Sequence, residues 1–402
     1  MDENMQKQKD NKFLKGALAG ALVVFSIMFF LLLIVMRIYR VDDTNTVIDA
    51  STHAKLQEID KLLQKHFLYD ADITDDMLSE GLYRGYVDGL GDIYSAYYDA
   101  EENEVLKEDI QGVYSGIGAV LSQNIDTKII TVMHTYKNSP AKEAGLEEGD
   151  IIYKVDGEDV LGQTVEEAVS KIRGEEGIPV ELTVYRGEER EEIDIIAIRE
   201  QIEVETVIAE MKSDTIGYIR VTEFRQVTFE QYQEALEELY QEGMEALIVD
   251  LRNNPGGNLN TVGDMLGIML PTDSAILTMK VSDGSEDTLF STPKGDFDKP
   301  LVVLVNEFSA SASEIYAGAI KDHQIGTIVG MNTFGKGVIQ QVFPLRDGSS
   351  VKLTIAEYFT SNGNKIHEEG VEPDVEIKFE RNEEGTDNQL EEAMKILEKD
   401  LR

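Results

Sequence analysis

Apolar residues at Leu56, Ile59, Leu62 and Leu63 recur at spacings of three and four, which predicts an amphipathic helix inside a helical stretch from Ser51 to Glu104. That stretch ends in the turn-rich, acidic run GLGDIYSAYYDAEENE. From Gln111 to Arg199 the texture shortens into β runs. TKIITVMHTY predicts a strand, Ser139-Pro140 an N-cap with a first-turn proline, and DIIYKVDG a strand running into an Asp156-Gly157 turn. Thr164 and Glu167 form a capping box ahead of VEEAVSKIR, and VELTVYRG with EEIDIIAI alternates as a hairpin. From Glu200 to Phe379 strands and helices alternate. IGYIRV is followed by the helix FEQYQEALEELYQ, capped by Thr228 and Gln231 and stopped at Gly243. ALIVDL and LVVLVN are continuous apolar runs, the pattern of strands buried on both faces. A helix from Ser311, the strands TIVG and VKLTIAEYF, and an amphipathic tail helix complete an α/β unit with a partly parallel sheet.

One run differs from all of these. Gly16–Met36 holds 21 residues without a charge, long enough as a helix to span a ~30 Å hydrocarbon core. Lys7, Lys9, Lys12 and Lys15 precede it and Arg37 and Arg40 follow, which favours a cytoplasmic N-terminus and an extracytoplasmic remainder. With no small-x-small cleavage pattern behind it, the run reads as an uncleaved signal anchor rather than a signal peptide.

Composition narrows the chemistry. The 402 residues include 77 acidic and 37 basic side chains, a net charge of −40 that offers no cationic face to nucleic acid. Without cysteine there are no disulfides, thiolate nucleophiles or cysteine zinc sites, and the five histidines are never paired at helical spacing. Catalysis would rest on Ser, Thr, Lys, Asp, Glu or Tyr.

In open α/β sheets, sites gather beyond the carboxyl ends of strands. After ALIVDL comes Arg252-Asn253-Asn254-Pro255-Gly256-Gly257-Asn258, where consecutive glycines let backbone amides approach a ligand, unless this is only a turn. After LVVLVN comes Ser309-Ala310-Ser311-Ala312-Ser313-Glu314 at a helix start, where donors favour developing negative charge. Residue type alone does not choose among the three serines, and plain N-capping would also explain them. His323 and His367 lack an evident carboxylate orienter, so a Ser-His-Asp arrangement is weak. Lys336 stands between Gly335 and Gly337, and burial there would depress its pKa toward a neutral, basic amine. Gly330 to Lys336 also matches the phosphate-loop spacing, but Gly337 replaces the required hydroxyl residue and a β-like segment follows.

Taken together, DLRNNPGG, NEFSASASEIYAG, GMNTFGKGVIQQ and GVEPDV resemble the C-terminal processing peptidases over nearly all of the chain from Ser51. GLGDIYSAYY and YSGIGAVL resemble that family's helical entry and the start of its PDZ module. The resemblance implies a Ser-Lys dyad, with Ser311 as nucleophile, Lys336 as general base and Gln340 orienting the amine. It places the oxyanion hole at the amides of Gly257 and Ala312. It implies a PDZ loop at Gly116, Ile117 and Gly118 for a free C-terminal carboxylate, and a gating arginine at Arg173. At Thr360-Ser361-Asn362-Gly363 the chain lacks a proline that many members carry after the threonine.

The expected fold is α/β and α+β multidomain. It comprises a cytoplasmic N-terminus (1–15), a transmembrane signal anchor (16–36), a helical entry domain (41–110), a PDZ domain (111–199), an α/β protease core (200–380) and a C-terminal helix (385–402). The expected function is that of a membrane-anchored, extracytoplasmic serine endopeptidase for proteins with accessible C-termini. It needs no cofactor, metal or nucleotide and binds no nucleic acid, and a homodimer stays open. The alternatives are a PDZ-bearing adaptor whose protease-like domain is silent, and a protease held shut by its PDZ domain until a partner arrives.

Overall fold

The computed structural model describes residues 47–68, 74–187, 189–295, 297–381, 385 and 387–402. The anchor expected over 16–36 lies outside them, and among the described residues no helix is long and apolar enough to cross a membrane. The chain forms two compact units, Met1–Ser79 and Glu80–Arg402, so the expected entry domain is divided between them. In the first, α1 (Ala50–His66) is N-capped by Asp49 and leaves Ile59, Leu62 and Leu63 of its apolar stripe exposed. Helix α2 covers Asp75–Asp88.

The second unit begins with features a helical domain would not contain. The strand β1 (Ala96–Tyr98) precedes α3 (Ala100–Gln111), whose N-cap Asp99 and Glu102 form a reciprocal capping box. The expected PDZ segment follows, with β2 (Val113–Gly116), β3 (Ala119–Gln123), β4 (Ile130–Thr135), α4 (Pro140–Glu143), β5 (Ile151–Val155) and β6 (Glu158–Asp159). It continues through α5 (Val165–Ile172), β7 (Pro179–Arg186), β8 (Glu191–Ile198) and β9 (Glu200–Glu203). The sheet order is β3-β4-β5-β7-β8, with β6 on β5 and a separate β2-β9 ribbon. Val132, Ala141, Val160, Ala168, Leu182 and Val184 are fully buried between this sheet and its two helices.

The remaining elements are β10 (Val207–Met211), β11 (Ile216–Val221), α6 (Thr228–Gln241), β12 (Ala246–Asp250), α7 (Leu259–Met269), β13 (Ala275–Val281) and β14 (Glu286–Phe290). After them come β15 (Leu301–Val305), α8 (Ala312–Asp322), β16 (Thr327–Gly330), β17 (Val338–Pro344), β18 (Ser350–Thr360), β19 (Val375–Glu376) and α9 (Asn388–Asp400). One sheet runs β10-β11-β12-β15-β16-β19, parallel from β11 onward. Every residue of β12 and β15 is buried, as continuous apolar runs require when both faces are covered. Leu247, Val249, Val303 and Val305 face α6, α7 and α8, while Ile248, Val302 and Leu304 face α9 through Ala393 and Leu397. Each such side chain contributes about 1.5–3 kcal/mol on leaving water. A second, antiparallel sheet has the order β1-β18-β13-β14, with β17 also on β18. Strand β1 therefore ties the entry segment to the core.

The cap expected at Thr228 and Gln231 is not made. Thr228 Oγ1 instead accepts the Arg225 amide (2.9 Å), and the Gln231 carbonyl oxygen accepts the Thr206 amide (2.9 Å), so both side chains brace neighbouring loops. The carboxyl end of β12 is fixed by charge. Arg252 donates to Asp250 (2.5 Å), Asp387 (2.7 Å) and Gln389 (2.9 Å), Tyr218 donates to Asp250 (2.7 Å), and Asp387 caps α9. Asp250 is 2% exposed, so removing its cation leaves a buried charge uncompensated. Replacing Arg252 by Met is expected to cost about 3–5 kcal/mol, read from the urea unfolding midpoint.

Candidate active site

Three loops meet at the carboxyl ends of β12, β15 and β16. The loop after β12 is shaped by Asn254, fully buried, whose side chain donates to the Val221 carbonyl (2.9 Å) and accepts the Gly256 amide (2.8 Å). Its own carbonyl accepts the Ala310 amide (3.0 Å) and the Ser313 hydroxyl (3.0 Å), joining this loop to the one after β15. At Gly256, φ is 103°, and a Cβ would stand 2.6 Å from the Ala310 oxygen and 2.7 Å from Ser311 Cβ. Only glycine permits that approach.

The three serines separate by their partners. Ser309, fully buried, donates to the Leu251 carbonyl (2.8 Å) and accepts the Asn306 amide (2.9 Å). Ser313, also fully buried, is spent on Asn254. Ser311 is half-buried, and its hydroxyl donates to nothing among the described residues. Its backbone has φ 55° and ψ −111° at the entry to α8, a conformation that non-glycine residues adopt only when their surroundings impose it. The amides of Gly257 and Ala312 also lack acceptors among the described residues. A Cβ built on Gly256 would lie 2.9 Å from the Ala312 nitrogen, so that free amide borders the glycine pair.

The residue that holds Ser311 against Lys336 is Glu314. Fully buried at the third position of α8, its Oε2 accepts the amides of Ser311 and Lys336 (both 2.8 Å). Its Oε1 accepts the Thr333 hydroxyl and the Gly335 amide (both 2.7 Å). Burial pushes the Glu314 carboxyl up, and these hydrogen bonds pull it back toward the ionised form. Fully buried Tyr358 adds a second joint, its hydroxyl lying 2.7 Å from the Lys336 carbonyl and 3.1 Å from that of Ser311. Gly337 packs so closely on the backbone of His367 that a side chain there would collide with it. Neither Glu314 nor Tyr358 stood out in the sequence. A glutamate three residues into a helix reads as a capping residue, and Tyr358 as one member of an alternating strand.

Lys336 has its ordinary pKa lowered, first by burial and then by Lys352, while Glu314 and Asp92 act in the opposite direction. Its amine lies 4.7 Å from the centre of the Tyr94 ring. The Gln340 side chain donates through its NH₂ to Thr354 Oγ1 (3.3 Å), across the β17-β18 pair and next to an irregularity in the register at Ile339/Gln340, and it makes no hydrogen bond to the Lys336 amine among the described residues. The phosphate-loop alternative also fails, because Lys336 leads into strand β17 rather than a helix N-terminus.

A model of peptidase family S41 matches residues 215–377, the stretch holding all three loops, and a PDZ model matches residues 131–186. The carboxy-terminal processing protease CtpB of Bacillus subtilis (strain 168) is 34% identical over 345 residues, 85% of this chain and 71% of that protein. The chain belongs to peptidase family S41. CtpA of the same organism, also a carboxy-terminal processing protease, is 37% identical over 305 residues, 76% of this chain and 65% of that relative. This S41 chain thus spans roughly two thirds of the length of the relatives it matches. A putative S41 protease from Bacteroides fragilis NCTC 9343 shares the fold at 17% identity and a TM-score of 0.51, covering 80% of this chain and 90% of that one.

In the PDZ segment, Gly116, Ile117 and Gly118 line a cavity of about 320 Å³ with Leu121, Val169 and Ile172. The Ile117 and Gly118 amides have no acceptor among the described residues, while Ile117 itself is 3% exposed and belongs to the PDZ core. Arg173 borders the same cavity, stacked 4.4 Å over Tyr114 and paired with Glu108 of α3 (3.0 Å).

Glu314→Gln replaces one acceptor oxygen by an NH₂ facing backbone donors. It is expected to destabilise the chain by about 2–3 kcal/mol in thermal or urea unfolding. Glu314→Asp, with its charge kept but its reach shortened, is expected to recover only part of that loss.

Proposed function

We propose that this S41 chain is a membrane-anchored, extracytoplasmic serine endopeptidase. It takes the C-terminus of a protein into its PDZ groove and cuts upstream with a Ser311–Lys336 dyad. The observation that supports this most is the division of labour among the three serines, which leaves Ser311 alone without an acceptor for its hydroxyl, on a backbone that shares the Glu314 carboxylate with that of Lys336. In the reaction, the neutral Lys336 amine takes the Ser311 proton as the oxygen attacks the scissile carbonyl. The Gly257 and Ala312 amides receive the oxyanion, Lys336 returns the proton to the leaving amine, and water then releases the acyl group. The free Ile117 and Gly118 amides support carboxylate capture, with the substrate's last residues added as a strand beside β3. The anchor rests on the uncharged run Gly16–Met36 and the lysines before it.

The test is cleavage of an unstructured protein ending in apolar residues by the detergent-solubilised chain, with products read by mass spectrometry. Wild type is expected to cut, and Ser311→Ala and Lys336→Ala each to lose at least a hundredfold in rate. Equal cleavage by all three would remove the dyad, and peptide binding without cleavage under every condition would favour the silent adaptor. Because the base acts only when neutral, the rate is expected to rise with pH through an apparent pKa below the ordinary ~10.4 of lysine. Alkaline carbonate washing of membranes is expected to leave the full chain in the pellet and to release a variant lacking residues 1–40.

A further inference from the structure

The amine of Lys336 lies over the Tyr94 ring, 4.7 Å from its centre, while Glu314 of α8 holds the Lys336 backbone amide and Lys352 of β18 and Asp92 act on the charge of the amine. Asp92 and Tyr94 belong to the segment between α2 and β1, ahead of both the PDZ segment and the core. That segment is tied down by hydrogen bonds. Asp92 accepts the Tyr94 amide (3.1 Å) and the Ser95 hydroxyl (2.5 Å), Ser95 Oγ accepts the Thr354 amide (3.1 Å), and β1 pairs with β18 from Ala96 to Tyr98. Thr354 is also the partner of Gln340. The ring is thus fixed to the strand that Gln340 touches, while the Lys336 amine donates no hydrogen bond to any described residue.

We infer that Tyr94 is a positioning residue for the catalytic base: its ring face is the seat of the Lys336 amine, carried by the entry segment and locked to β18 through Asp92, Ser95 and Thr354. The inference rests on the dyad reading above. A ring face has two consequences for a partly buried amine. It gives the group a defined place without a hydrogen bond that would have to break before proton transfer. It also favours the ammonium form through the quadrupole, opposing burial and the neighbouring Lys352. Both effects belong to the ring and neither to the hydroxyl, so Tyr94→Phe and Tyr94→Leu should part company.

The experiment measures two quantities in the full chain. One is the pH dependence of Lys336 modification by a trace amine-labelling reagent, read by mass spectrometry of the peptide that contains it. The other is the pH profile of peptide cleavage. Tyr94→Phe is expected to match wild type in both. Tyr94→Leu is expected to lower the labelling pKa of Lys336 by about half a unit to one unit, and to move the acid limb of the cleavage profile with it. It is also expected to reduce the high-pH kcat on the order of tenfold with KM within about twofold. Tyr94→Met, which also removes the ring, repeats the test if Tyr94→Leu melts early. An unchanged or raised labelling pKa in the ring-less variants, or an equal shift in Tyr94→Phe, overturns the inference. A labelling shift that leaves cleavage untouched supports the seat and removes Lys336 as the base, which separates the two readings.

Discussion

Glu314 is the joint on which the active-site geometry depends. Bringing the loop after β15 and the loop after β16 together puts the amides of Ser311, Gly335 and Lys336 in one dry place, where each unpaired donor would cost about 1–3 kcal/mol. A single carboxylate answers all three and the Thr333 hydroxyl as well. It stands on the first turn of α8, where the helix dipole also favours a negative charge. Burial raises its pKa, and the convergence of donors acts in the opposite direction. The carboxylate therefore does not take part in the proposed chemistry, yet it determines where both chemical groups stand.

Around that joint the structure uses small residues and buried amides instead of charge. Asn254 links the glycine loop to the serine loop, and Ser309 and Ser313 spend their hydroxyls on the backbone of the loop after β12. Their commitment is what makes Ser311 different, and its left-handed backbone follows from the two fixed neighbours on either side. The strained residue is held by satisfied hydrogen bonds in every direction except that of its own hydroxyl.

Much of this was legible in the chain. The uninterrupted apolar runs of β12 and β15 announce a sheet buried on both faces, and the loops that follow them hold the site where an open α/β sheet would place it. The choice among Ser309, Ser311 and Ser313 was not legible without a resemblance, because it turns on which hydroxyls meet carbonyls contributed from residues near 250. Glu314 and Asn254 were hidden for the same reason, since their partners lie far along the chain or across a turn. The entry segment misled in another way. Its helical spacing is real in α1 and α2, but Ala96–Tyr98 is too short to show an alternating pattern, so its role as the edge of the second sheet appears only once β18 is beside it. The Gln340 contact with Thr354, beside a register irregularity in β17, was likewise not legible, because it depends on how β17 lies against β18.

The electrostatics of Lys336 bear on how an acidic chain could carry the proposed lysine base. A net charge of −40 would, by itself, stabilise every ammonium on the surface. Lys336 escapes that field by burial and by having Lys352 nearby, both of which lower its pKa, while Glu314 and Asp92 restrain the fall. Glu314 turns its oxygens toward backbone donors and not toward the amine, so most of its charge is already answered before Lys336 can use it. A carboxylate free to form an ion pair at the same place would hold the proton on the lysine and silence the base. Placing Glu314 in a cage of amides and a hydroxyl fixes the loop while turning the carboxylate oxygens away from the amine that the loop presents.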